Sequence, residues 1–209
     1  MRLIIIAGMP ASGKSTVARE LSARIGYPVI EKDELKETLF DTLGFSCYSE
    51  KRHLDVVATE LLLRVSDQLF RSDTSHIIVN NFRSDKVEPL RKLIDKYSPA
   101  VAPVFFGGDS DVFYRRYVDR DNRGERHLGH VLQLRYPPLD SDPKTHTMTR
   151  SEFYEKFEAL GMDDFDIGIP KICVDATDPS SINIDDLLSE INKTLEYQEK
   201  IMQNGEDIR

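Results

Sequence analysis

Several features are missing from this chain, and each absence removes a class of function. No apolar run is long enough to cross a bilayer. The stretch Met1–Ala7 is short and lacks the cleavage region of a signal peptide, so it reads as a first strand. Cysteine is scarce. Cys47 and Cys173 stand far apart and form no C-x-x-C, which predicts two reduced thiols in a cytoplasmic protein. Basic charge is not in excess: 28 Lys and Arg face 36 Asp and Glu, for a net charge of −8. An acidic surface disfavours a broad nucleic-acid footprint but is compatible with a local basic cleft. Internal repeats and low-complexity tracts are also missing. What remains, at 209 residues, 40% hydrophobic and 31% charged, predicts one α/β domain over 1–209.

Against this background one motif stands out. Residues 8 to 15 read Gly-Met-Pro-Ala-Ser-Gly-Lys-Ser, the P-loop pattern G-x-x-x-x-G-K-[ST]. An apolar strand pattern, Leu3–Ala7, precedes it. A helical pattern with Val17, Ala18, Leu21 and Ile25 on one face follows. Gly8 and Gly13 let the backbone turn tightly and bring its N–H groups to a polyphosphate, and the helix start adds its positive dipole end. Met9, Pro10, Ala11, Ser12 and Thr16 complete the predicted cradle. Lys14 can reach the β- and γ-phosphates of ATP. The Ser15 hydroxyl suits Mg²⁺, a hard cation that favours oxygen. The bland alternative is a glycine turn that binds nothing.

Further strand-like runs fall at Tyr27–Glu31, Ile77–Asn80, Val101–Phe106 and Lys171–Asp175. Helical stripes separate them: Leu54, Val57, Ala58, Leu61, Leu62, Val65 and Leu69; then Val87, Leu90, Leu93, Ile94 and Tyr97; finally Ile184, Leu187, Leu188, Ile191 and Leu195. The alternation implies right-handed βαβ units, and the mostly apolar strands imply a parallel sheet covered on both faces. Pro103 conflicts with the fourth run, because proline cannot donate to a ladder. The strand is expected to begin just after it, or to have the proline at its start. Leu132–Thr149 reads as a long functional loop and Ser151–Leu160 as a short helix, together an acceptor-side insertion at about 131–160. The tail from Gln203 is polar and expected to fray.

Two more segments carry chemistry. Asp33 follows the second strand, on the sheet edge where ligands bind in open α/β folds. A carboxylate there can take the proton of an acceptor hydroxyl. Lys36, three residues on, shares its helical face and can hold an anionic acceptor. Asp33 as a simple helix cap is an equal alternative, and Glu31 and Glu34 compete for the base role. In the segment 113–130, Arg116, Arg120 and Arg123 share a helix face at i, i+4 and i+7, and Arg126 follows a possible hinge at Gly124. Clustered arginines on a hinged lid stabilise a transferring phosphoryl group; a solvated face paired through Asp119 is the alternative. Asn80 ends the third strand where many P-loop proteins place a metal-orienting aspartate, which leaves Mg²⁺ to Ser15, the phosphates and Asp33. Asn81 and Arg83 are candidates for acceptor contact. His53 reads as a surface residue, and Asp175 and Thr177 as either the nucleotide-base border or a plain turn.

With these segments in hand, the chain resembles the small P-loop kinases of the AAA-type ATP-binding group, relatives of bacteriophage polynucleotide kinase, chloramphenicol phosphotransferase and the zeta toxins. Gly8–Ser15, Asp33 with Lys36, Val79-Asn80-Asn81-Phe82, the segment from Arg116 to Gly-Glu-Arg-His-Leu-Gly-His, and Val174-Asp175-Ala176-Thr177 carry the resemblance. Leu128 stands where that lid usually has proline. The resemblance implies a five-stranded sheet in order 2-3-1-4-5, a closing lid, and ATP- and Mg²⁺-dependent transfer to a hydroxyl of a small molecule or a nucleic-acid 5′ end. A nucleotide-gated binding protein without a small acceptor is the competing expectation.

Overall fold

The computed structural model describes residues 1–82, 87–142, 148–162 and 165–204, with the Glu158 side chain left aside. β1 (Arg2–Gly8) lies at the centre, and Leu3 through Ala7 are fully buried. It pairs in parallel with β3 (His76–Val79) on one side and β4 (Ala100–Gly107) on the other. β2 (Val29–Glu31) lies outside β3 and β5 (Ile172–Asp175) outside β4, so the order is 2-3-1-4-5.

Strand alternation sends the β1 side chains to two different cores. Ile4 and Ile6 pack with Val17, Ala18 and Leu21 of α1 (Lys14–Ile25), Phe113 and Tyr117 of α5 (Ser110–Asn122), Phe153 and Phe157 of α7 (Arg150–Ala159), and Leu187 and Ile191 of α8 (Ile184–Asn204). Leu3, Ile5 and Ala7 pack with Leu62 and Phe70 of α3 (Tyr48–Arg71) and Leu90 and Leu93 of α4 (Glu88–Tyr97). Each such Leu, Ile or Phe buried contributes about 1.5–3 kcal/mol. A smaller third cluster joins Phe40 of α2 (Lys32–Leu43) to Phe45 and Leu54. Among the described residues no helix is long and apolar enough to cross a membrane.

Pro103 sits in the middle of β4, neither before it nor at its start. The register explains why the sheet accepts it. Pro103 lies opposite Ile5 of β1, while pairing with β5 begins only at Val104↔Ile172. Ala100 N–H donates to Met1 O on the β1 side, so by alternation the odd-numbered amides face the β5 side. There Val101 N–H is taken by the side chain of buried Gln198 from α8, at 2.7 Å. At the next such position proline brings no donor that needs a partner.

The α3 stripe also differs from expectation. Its buried positions are Lys51, Leu54, Ala58, Leu62, Ser66, Asp67 and Phe70, while Leu61 is exposed. The face is turned so that a lysine belongs to it.

Candidate active site

At the carboxyl end of β1 the chain passes directly into the P-loop. Gly8 has φ of 132°, and a Cβ there would stand 2.3 Å from the Phe106 carbonyl oxygen, so only glycine fits. Ala11 (φ 60°) and Gly13 (φ 88°) take left-handed conformations. A turn built this way brings successive N–H groups toward one anion. Gly13 then serves as the N-cap of α1 without any side-chain cap, which leaves the first amides of the helix for a ligand.

Lys14 opens α1 and is buried. Its Nζ donates to Met9 O at 2.6 Å and Gly8 O at 3.0 Å. Burial pulls its pKa down to about 7, with Asp33 acting the other way and Arg120 adding to the depression. Met9 itself turns its side chain into the core, whereas Pro10 through Thr16 line a cavity of about 840 Å³.

β2 delivers the second group. The N-cap of α2 is Glu31, with no side-chain cap bond, so Asp33 lies inside the first turn and is not the cap. Asp33 lines the same cavity. Burial favours its neutral form, but Lys32, His130, Lys36 and Arg126 together hold the carboxyl well below the usual carboxylate range. Glu31 lines the cavity too and is paired with Arg19 at 3.0 Å. Glu34 faces Arg19 outside the cavity lining, at 3.0 Å. Lys36, on the Asp33 face, reaches across to Asp55 of α3 at 2.7 Å, and Lys32 reaches the same oxygen at 2.8 Å.

The four arginines divide. Arg120 and Arg126 line the cavity. Arg126 stacks over Tyr117 at 4.7 Å and pairs with Asp121 at 3.3 Å. Arg120 keeps its buried Nε without a hydrogen-bond partner. Arg116 turns away and donates to the Ala176 carbonyl at 2.7 Å and to that of Thr177. α5 ends at Asn122, so Arg123 leaves the predicted face and meets Glu125 at 3.1 Å near solvent. Gly124 follows with φ of 66°. Asn81 lines the cavity beside Asn80; Arg83 lies outside the described residues.

Asp175 and Thr177 lie apart from the cavity lining, in a turn they build together: Thr177 N–H donates to Asp175 Oδ1 at 2.9 Å, and Asp109 N–H to Thr177 Oγ1 at 2.8 Å. Gly108 fits against this turn because a Cβ would meet Thr177 Oγ1 at 2.6 Å.

The end of the segment expected to form a lid is fastened to α2. α6 (Leu128–Val131) places Gly129 against Phe40, where a Cβ would come within 2.2 Å of the ring. His130 Nε2 meets Glu37 at 3.0 Å, and His127 Nε2 meets Asp41 at 3.0 Å. Tyr136 donates to Asp41 at 2.6 Å, and its backbone pairs with that of Phe45. On the opposite wall, α7 is tied to the start of α5 by Arg150 and Tyr154, both bonded to Asp111.

Lys51, Asp55 and Lys156 line the cavity and did not emerge from sequence reasoning. For Lys51 and Asp55 a signal existed: Lys51 lies three residues before Leu54 on the apolar stripe, and Asp55 four residues after Lys51. No spacing singles out Lys156.

A family profile described as an AAA domain matches residues 4–132. A curated protein of Sulfurisphaera tokodaii named "Putative adenylate kinase" is 36% identical over 95 residues, covering 43% of this chain and 48% of that protein. The chain thus matches about half the length of that relative. A solved structure from Chloroflexus aurantiacus, described as a "putative kinase", superposes with a TM-score of 0.73 at 26% identity, over 92% of this chain and 97% of that one. A Sinorhizobium meliloti gluconokinase (TM-score 0.54, 19% identity, 96% and 95% covered) and an Aquifex aeolicus shikimate kinase (0.51, 21%, 94% and 96%) share the fold.

Proposed function

Because this chain belongs to the AAA-domain family and has a P-loop kinase-like fold, we propose that it is an ATP-dependent phosphotransferase acting on a hydroxyl acceptor. One observation carries the reading: the P-loop, Asp33 and Arg120 line a single cavity of about 840 Å³. That volume accommodates a nucleotide and a small acceptor together.

The P-loop amides and Lys14 hold the β- and γ-phosphates, with Lys14 exchanging its bonds to Gly8 O and Met9 O for phosphate oxygens. Asp33 orients the acceptor hydroxyl and accepts its proton. The acceptor oxygen bonds to the γ-phosphorus as the bond to the β,γ-bridging oxygen breaks, and ADP departs. The low pKa of Asp33 suits a loose transition state in which the proton leaves late. Arg120, whose buried Nε lacks a partner, meets the charge of the transferring group. Arg126, stacked on Tyr117, supports it; Arg116 braces the Asp175–Thr177 turn, which borders the nucleotide base. Asn81 lies on the acceptor side.

Magnesium fits the donor set. Ser15 offers a hydroxyl and Asp33 a carboxylate on the same cavity, while the described residues hold no group of three His, Cys, Asp or Glu that would make a self-sufficient metal site. The ion, when bound, neutralises charge between the β- and γ-phosphates. Asn80 at the strand end, in place of a carboxylate, also favours a second reading: a nucleotide-gated binding protein.

The test is transfer of labelled γ-phosphate to a panel of nucleosides, sugars, hydroxy acids, chloramphenicol-like alcohols and 5′-hydroxyl oligonucleotides. Label on one acceptor, reduced about 10²–10⁴-fold in Asp33→Asn with nucleotide affinity retained, is the expected result. Slow phosphate release to water alone, equal in both proteins, would replace the kinase with the gated binder.

A further inference from the structure

Resting on the phosphotransferase reading, we infer that the acceptor carries an anionic group, a phosphate or a carboxylate, seated among Lys36, Lys51 and Lys156 beyond Asp33.

These three lysines come from α2, α3 and α7 and line the same cavity as the P-loop. Lys51 is buried on the apolar face of α3. Its Nζ donates to the carbonyls of His130, at 2.8 Å, and Leu132. An ammonium has three donors, so these bonds leave one. Neither is to a carboxylate. Lys156 forms no ion pair among the described residues, and its Nζ lies over the Phe157 ring, 5.6 Å from the centroid. Of the carboxylates on this cavity, Asp55 is engaged by Lys32 and Lys36, while Glu152 and Glu155 stand on α7 beside Lys156.

Like charges gathered in one cavity repel, and Lys51 and Lys156 each feel the other lysines of the group. Burial is the main cause of the depressed pKa of Lys51, to about 7, and Lys36, Lys156 and Arg126 deepen it. Lys156, exposed on α7 at the cavity rim, has its pKa lowered in the same direction by partial desolvation and then by Arg126 and Lys36. An acidic protein that assembles such a group in a cavity has a site for a negative partner.

The nucleotide is not that partner. The charges that act on Lys14 are Asp33, Arg120, Lys32 and Glu31. Those that act on Lys51 are Lys36, Lys156, Arg126 and Asp55. Asp33 is three residues from Lys36 on α2 and lines the cavity with Lys14, so it is a neighbour of both groups. An acceptor with its hydroxyl at Asp33 would reach the lysines with its other end.

The experiment loads the protein with Mg²⁺ and a non-hydrolysable ATP analogue, then titrates inorganic phosphate and, separately, acetate by calorimetry. Saturable binding of either anion is expected, at least tenfold weaker in Lys156→Met and unchanged in Lys193→Met, which removes the same charge outside the cavity. The stronger of the two anions identifies the group. Lys51→Met should act the same way; if that buried variant fails to fold, Lys156→Met, on the surface of α7, carries the test. No saturable binding, or equal binding in Lys156→Met, overturns the inference. Transfer assays on matched pairs, gluconate against glucose and glycerol 3-phosphate against glycerol, should favour the charged member at least tenfold; preference for the neutral member also overturns it. Anion binding that persists without transfer to any acceptor would instead overturn the phosphotransferase reading and leave the anion site standing.

Discussion

On the function proposed, the P-loop and the lysine group would recognise anions by different means. At the P-loop the chain does the work within eight consecutive residues, through backbone amides shaped by Gly8, Ala11 and Gly13. In the lysine group three helices each send in one lysine, and no two of those lysines are closer than fifteen positions in sequence. A backbone cradle fits any polyphosphate and is local. A side-chain cradle is assembled by tertiary packing and can be changed residue by residue while the fold stays the same.

The largest effect that would sharpen this contrast is expected for Lys14→Ala. It should weaken nucleotide binding and lower transfer by about 10³-fold, on the order of 4 kcal/mol, as read by calorimetry and initial rates. Transfer within a factor of two of wild type would place the phosphate contact elsewhere. Next comes a paired comparison in the lid. Arg120→Met should cost about 10²-fold in kcat with nucleotide affinity nearly kept. Arg123→Met, which removes only the contact with Glu125, should stay within about twofold, in line with an exposed pair worth about 0–1 kcal/mol. Equal losses would mean the two arginines share the site.

A smaller effect tests the attachment of the lid to α2. Gly129→Ala forces a Cβ onto the Phe40 ring and should destabilise the protein by about 1–3 kcal/mol, measured by denaturant midpoint. An unchanged midpoint would show that α6 lifts off freely.

The smallest concerns pH. Lys14 and Lys51 bind protons up to about pH 10.5 when unfolded but only to about pH 7 when folded and buried. Between those values the unfolded chain holds more protons, so stability rises with pH. The Tm should climb from pH 7 to 9. An ATP analogue should flatten the slope, because phosphate restores the charge of Lys14. A flat profile without the analogue would mean the ammonium groups are already hydrated.

The same contrast governs what was legible in the sequence. The fold could be read because hydrophobic periodicity and a glycine motif are local signals, and Leu3–Ala7 looks like a buried strand in any context. Asp33 and Lys36 could be placed from helix spacing. Arg123 could not, because its place on the lid face depends on where α5 stops, and the helix ends one residue earlier at Asn122. Lys51 was hidden by its residue type, since a lysine extending an apolar stripe looks like a surface position until a cavity is seen beneath it. Pro103 shows the converse. The rule against proline within a sheet holds for donors that need a partner, and only the β5 register reveals that this one does not.

Pro103 and the Val101–Gln198 bond together have a consequence for the edge of the sheet. The outer edge of β4 before Val104 would offer a row of amides and carbonyls to any passing chain, the template from which strand-to-strand aggregation starts. Proline leaves that row without one donor, and the Gln198 side chain occupies the next. α8 therefore covers, with one amide group, the stretch of β4 that the four-residue β5 does not reach.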